Sequence, residues 1–238
     1  MNHQRLAPQL AADLGLGLPP VAIAFVDAPP AGTVKAPAAP SACAFWRSAE
    51  RTTFFAAAAD HHGCPVGTMV MGFDLPKDVA AELGGLVETM TRSGYLEGGE
   101  ATRIPVNGKT AKGILYGPLA QFPVEPDAVV LWLTPAQAMV WSEASGGAAW
   151  GGREPSTVFG RPACAAVPAA LGTARPTLSL GCKGMRTFTE IAPDRLLAVI
   201  PGAKLDVFAT ALRAAKERND VMGGFYGSRK AAFAAAQR

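Results

Sequence analysis

Along this chain the apolar positions fall in short runs whose period moves between that of a helix and that of a buried strand, so the sequence reads as short strands alternating with helices. Leu6, Leu10 and Leu14 line one face of a first helix over Gln4 to Leu14. Gly15-Leu16-Gly17 ends it, and Pro19-Pro20 bars its continuation. Val21 to Val26 is apolar throughout and predicts a buried strand. The Pro/Ala/Gly-rich stretch Asp27 to Pro40 predicts a surface loop, and Ser41 follows as an N-cap for a helix with Cys43 in its first turn and Phe45-Trp46 behind it. Thr52 to Ala59 predicts a strand running into Asp60-His61-His62-Gly63-Cys64-Pro65. Proline is favoured at the first helical position, where its missing N–H costs nothing, so Cys64 becomes the N-cap of a short helix punctuated by Gly72 and Pro76.

Asp78 to Met90 is the next amphipathic segment, and Gly94 to Lys112 predicts an extended loop or hairpin before a strand at Gly113 to Gly117. The clearest strand is Ala128 to Leu133. Thr134-Pro135 then signals a helix over Ala136 to Ser145, followed by a Gly-rich stretch that holds Trp150. Cys164 follows Pro162 at another helix start, ended by Leu171-Gly172, and Thr177 to Leu180 is a strand that turns sharply at Gly181-Cys182-Lys183-Gly184-Met185-Arg186. A last strand, Leu196 to Ile200, a long helix, Lys204 to Arg218, and a loosely held helical tail, Ser228 to Arg238, complete the chain. The pattern predicts an α+β, mixed α/β fold in one compact domain over 1–238, with about six to eight short strands and helices on at least one face. Its core covers about residues 20–212, and residues 219–238 form a peripheral tail.

An internal echo adds to this picture. Pro126-Asp127 and Pro193-Asp194 each open a strand followed by a helix, and Cys43 precedes Gly63-Cys64 by about the distance that Cys164 precedes Gly181-Cys182. A strand-helix duplication would place one cysteine pair in each of two related units, with the four sulfurs converging where the units meet.

Composition narrows the function classes. With 49% apolar and 17% charged residues the chain has a substantial core, and a net charge of +3 without a Lys/Arg run does not suggest a nucleic-acid surface. Apolar runs such as Phe54 to Ala59 are far too short to span a bilayer, and the N-terminal residues lack the apolar segment of a signal peptide. The expected setting is cytoplasmic, with no membrane and no nucleic-acid partner. Four cysteines in such a chain do not make a disulfide scaffold, which leaves metal ligation or burial. Phosphate-loop, dinucleotide-loop and nucleophile-elbow motifs are absent, and three histidines make a His-rich site improbable.

Cys43, Cys64, Cys164 and Cys182 lack the C-x-x-C spacing of compact zinc or ferredoxin sites. Each nevertheless falls at a predicted helix start or strand end, where chain amides stabilise negative sulfur. Dispersed soft ligands suit an oxygen-sensitive [4Fe–4S] cluster better than zinc. Buried or regulatory thiols, or haem with His61, His62 or Cys64 as an axial group, are the other readings. Lys183 and Arg186 beside Cys182 would offset the charge of a cluster or hold an anionic substrate, against the plainer reading of an exposed pair. His61 and His62 otherwise belong to a solvated turn. Trp132, Trp141 and Trp150 are core residues, or a stacking wall for a planar ligand. The expected function is electron transfer or redox metabolism with a redox partner protein, as carrier or as an enzyme binding a small molecule at the open side of the cluster, in a chain that could form a homo-oligomer. The alternative is a non-catalytic module that binds or senses a haem-like ligand.

Gly63-Cys64-Pro65, the segment Pro126-Asp127 through Met139, and Leu178-Ser179-Leu180-Gly181-Cys182-Lys183-Gly184-Met185-Arg186 occur in an order and spacing that resemble the DUF169 family, from about Pro20 to Leu212. The resemblance implies a globular, cysteine-containing protein often encoded near metabolic genes, and it speaks to fold more than to function. Relatives that carry a further Cys where this chain has Met185 leave the role of that position open.

Overall fold

The computed structural model describes residues 2–146 and 158–237. Among them eight strands form one mixed sheet: β1 (Val21–Val26), β2 (Val34–Lys35), β3 (Phe54–Ala57), β4 (Gly113–Pro118), β5 (Ala128–Leu133), β6 (Val158–Phe159), β7 (Thr177–Ser179) and β8 (Leu196–Pro201). Their spatial order is β2-β3-β4-β1-β5-β8-β7-β6. In the first half β2 runs parallel to β3, which is antiparallel to β4, which is antiparallel to β1. In the second half β6 runs parallel to β7, which is antiparallel to β8, which is antiparallel to β5. The two halves repeat one topology and meet at the antiparallel pair β1–β5, where Val21 faces Val130 and Ile23 faces Ala128.

Strict alternation along the central strands gives the sheet two buried faces. Val21, Ile23 and Phe25 of β1, Ala128, Val130 and Trp132 of β5, and Leu197 and Val199 of β8 belong to one core. Their neighbours Ala22, Ala24, Val129, Leu131, Leu133, Ala198 and Ile200 belong to the other. The second face is covered by α1 (Asn2–Leu14), α5 (Pro135–Ala144) and α8 (Leu205–Ala236), through Leu10, Leu14, Trp141, Phe208 and Leu212. The first face is covered by α2 (Ala44–Ser48), α3 (Pro65–Val70), α6 (Ala166–Thr173) and α7 (Lys183–Thr189), and it carries Cys43 and Cys164 in its core. Helix α4 (Lys77–Arg92) lies against α3 and buries only Val79.

Local chemistry explains several boundaries. Helix α5 starts as its sequence directs: Thr134 Oγ1 accepts from the Gln137 N–H at 3.3 Å, and the Gln137 carboxamide oxygen accepts from the Thr134 N–H at 2.7 Å. The Asp127 carboxylate accepts the Phe25 N–H at 2.8 Å and pairs with Lys109 at 2.9 Å, so it ties β1 and the 107–111 loop to the start of β5. Beside it Gly202 closes the end of β8, donating its N–H to the Asp127 carbonyl at 2.7 Å. An added Cβ at Gly202 would stand 1.7 Å from the Pro126 carbonyl oxygen.

Several expectations are corrected. Strand β2 falls in a segment that reads as loop and β6 in one for which the pattern predicts no element; each has two residues, and its partner strand supplies its order rather than any pattern of its own. The turn after Cys182 continues into helix α7. The long C-terminal helix does not stop near Arg218 but runs unbroken to Ala236, with its distal part in solvent. The echo between the β5–α5 and β8–α8 segments is a resemblance of two adjacent antiparallel strands; the repeat itself pairs β1 with β5 and β4 with β8. Trp150 lies outside the described residues.

Candidate functional site

The four cysteines occupy matching places in the two halves. Cys43 and Cys164 lie between the edge strand and its parallel neighbour, Cys43 as N-cap of α2 and Cys164 in the 3-10 turn Ala163–Ala165 that leads into α6. Cys64 and Cys182 lie just beyond β3 and β7, as N-caps of α3 and α7. Helix α2 packs on α7, and α3 packs on the turn that holds Cys164, so each half lays its first cysteine element on the second cysteine element of the other.

That crossed packing brings the thiols within electrostatic reach of one another. Burial pushes Cys43 up to about 12, a hydrogen bond with Ser41 partly offsets this, and Cys64 and Cys182 raise it further. Cys164 is pushed well above the ordinary thiol range, first by burial and then by Cys64, Cys43 and Cys182. All four thiols are free; Cys43 and Cys164 are buried and Cys64 and Cys182 half-buried. Among the described residues no three or more His, Cys, Asp or Glu side chains are grouped to hold a single metal ion.

Small residues make room for the sulfurs. A Cβ on Gly67 would sit 3.1 Å from the Cys64 sulfur and 2.6 Å from the Ala42 Cβ, so only glycine lets α3 approach the segment before Cys43. Gly181 turns the chain into Cys182 at φ +83°, packed on the buried Met185 side chain. The Met185 N–H donates to the Cys182 sulfur at 3.4 Å, and the Ser41 hydroxyl lies 3.2 Å from the Cys43 sulfur. Ser41 also accepts the Ala44 N–H, so it caps α2 from two residues before the N-cap position that Cys43 fills.

A buried aromatic group stands beside the thiols. Tyr116, on β4, is fully buried, and its hydroxyl is pushed well up by burial and then by Cys164 and Cys43. It lies 3.0 Å from His61 Nε2, while His61 Nδ1 is 2.9 Å from the Ala57 carbonyl. A carbonyl can only accept, so Nδ1 carries the proton and Nε2 accepts from Tyr116. His61 is therefore a buried, doubly engaged residue and not part of a solvated turn, with no ring nitrogen left for a haem. Nothing in the local pattern announced this pair, because Tyr116 is one of six buried residues in a row on β4.

The remaining predicted residues divide. Lys183 is exposed at the start of α7. Arg186 is spent on structure: its guanidinium donates to the carbonyls of Leu180, Pro193 and Arg195 at 2.7 to 3.1 Å. Trp132 and Trp141 lie in the cores on opposite faces of the sheet and cannot wall a common ligand. His62, two residues before Cys64, lines a cavity of about 640 Å³ with Phe73, Asp74, Asn107 and Lys109.

No helix among the described residues is long and apolar enough to cross a membrane. The profile of the DUF169 family, described as uncharacterised ArCR, matches residues 9–210. No curated protein and no solved structure matches the chain.

Proposed function

This chain belongs to the DUF169 family, and we propose that its four cysteines hold a [4Fe–4S] cluster that serves electron transfer or redox metabolism. The observation that carries this reading is the crossed packing of the two halves, which brings two thiols from each into one electrostatic neighbourhood on one face of the sheet. Four thiols drawn together under an apolar core are costly as anions, since burial and mutual repulsion both oppose ionisation. A cationic iron centre would reverse that balance, with Cys43, Cys64, Cys164 and Cys182 held as thiolates. A single tetrahedral ion would need sulfurs about 3.8 Å apart, given bonds near 2.3 Å. No such grouping is present among the described residues, so the thiols as they stand do not form a single-ion site.

When bound, such a cluster would pass single electrons. The chain's own part is to exclude water through Phe45, Trp46 and Met185, and to offer the Cys182 sulfur the Met185 N–H. The test is anaerobic reconstitution of the full chain with ferrous iron and sulfide, with iron and acid-labile sulfide counted per chain. About four of each are expected in the wild type by the definition of the cluster, with most iron lost in Cys64→Ser and Cys182→Ser, since hard oxygen replaces soft sulfur. Full iron retention in both variants would overturn the reading.

A further inference from the structure

The two halves match in topology and in the placement of their thiols, but not in the charge around them. Three residues before Cys43 stands Pro40, and directly after Cys64 stands Pro65. At the corresponding places of the second half stand Arg161, three residues before Cys164, and Lys183, directly after Cys182. Both cations are exposed, and among the described residues neither has a carboxylate partner, whereas Arg47, Lys109 and Arg213 each have one.

A third element joins them. Tyr95, in the loop after α4, lies with its ring under the Arg161 guanidinium, 3.9 Å from it. Its hydroxyl accepts the Lys183 backbone N–H at 3.3 Å. Stacking fixes the plane of the guanidinium while leaving the N–H groups on its edge free, the arrangement in which arginine reads a planar or tetrahedral oxyanion through two parallel hydrogen bonds. The Tyr95 oxygen already accepts, so its own proton is free to donate outward. Lys183, whose backbone Tyr95 holds, adds an exposed ammonium on a flexible four-carbon stem.

We propose that Arg161, Tyr95 and Lys183 form a recognition site for an oxyanion, the carboxylate or phosphate group of a small metabolite, on the rim of the thiol centre. The anchoring stands on the fold alone; only its meaning, as the grip on a substrate presented to the centre from the side of the second half, rests on the cluster reading. Placing both cations on one side of a twofold scaffold gives the substrate a single direction of approach.

The experiment is calorimetric titration of the full chain, without iron and after reconstitution, using inorganic phosphate and succinate as probes in a buffer of low ionic strength. One equivalent of at least one probe is expected to bind saturably in both preparations, and the tighter probe names the class. Arg161→Gln and Lys183→Gln are each expected to weaken binding about tenfold or more, as for loss of one charge-assisted contact. Tyr95→Phe should weaken it less, and Lys35→Gln, which removes an exposed cation on β2, should leave it unchanged. The Arg161 and Lys183 variants should keep the iron content of the wild type, so a failed anion site and a failed cluster give different results. No saturable binding of either probe, unaltered affinity in both charge variants, or an equal loss in Lys35→Gln would overturn the proposal.

Discussion

Acid should destabilise this protein through one residue, His61. Its ring is 1% exposed and packed between Phe45 and Phe73, with centroids 5.1 and 4.8 Å away. Burial lowers its pKa to about 4, against the 6.5 of a free imidazole, with the Ala57 carbonyl pulling weakly the other way. Between those values the native imidazole stays neutral while the unfolded chain takes up a proton. The unfolded state then binds more protons, so stability falls as pH drops through 6.5 and the loss is complete near 4. At 1.36 kcal/mol per pKa unit, the full loss is about 3 kcal/mol, a large share of the stability of an ordinary domain. The comparison is urea unfolding of wild type and His61→Gln, followed by tryptophan fluorescence at steps from pH 8 to pH 4. Glutamine never charges, so at pH 8 the variant should be about 1–2 kcal/mol weaker for its lost hydrogen bonds. That deficit should vanish or reverse by about pH 4.5, while carboxylates elsewhere titrate alike in both proteins. A gap that stays constant over the whole range would refute the argument.

Two further predictions follow from the same geometry. Because Cys43 and Cys164 are held as thiols well above neutrality, loading of iron should release protons and tighten as pH rises from 6.5 to 8.5; proton release in a weakly buffered indicator dye is the measurement, and pH-independent loading would contradict it. Gly202→Ala should cost about 2 kcal/mol or more by chemical denaturation, because its Cβ meets a backbone carbonyl at 1.7 Å that cannot swing aside; a change below about 0.5 kcal/mol would show that the β5–β8 end is softer than its hydrogen bonds imply.

The sequence announced those parts of the fold that are governed locally. Proline after Cys64, the Thr134-Pro135-Gln137 start of α5 and the apolar run of β5 each set their element through neighbours a few residues away. The placement of Cys64 at a helix start and of Cys182 at a strand end, and the matched spacing of the two cysteine pairs, were legible for the same reason, whereas helix α7 after Cys182 was not. What depends on distant partners was not. Two residues at β2 become strand only because β3 lies beside them, and Arg186 looked like a free cation until three carbonyls from the Leu180 and Pro193–Arg195 segments closed around it. His61 looked solvated because its burial is supplied by Phe45 and by Tyr116, which is 55 residues away. The stacking of Arg161 on Tyr95 joins segments whose meeting no local period encodes.

The repeated topology also bears on synthesis. Cys64 and Cys164 are separated by 100 residues, so at about 5–20 residues per second the ribosome delivers the first pair of thiols roughly 5–20 seconds before the second pair begins to follow. Until Leu133 has been made β1 has no β5 to pair with, and throughout the interval Cys43 and Cys64 lack the α7 and Cys164 elements that cover them in the finished protein. The nascent first half is therefore the stage at which its two thiols are most open to oxidation, before β5 closes the seam and the second half covers them.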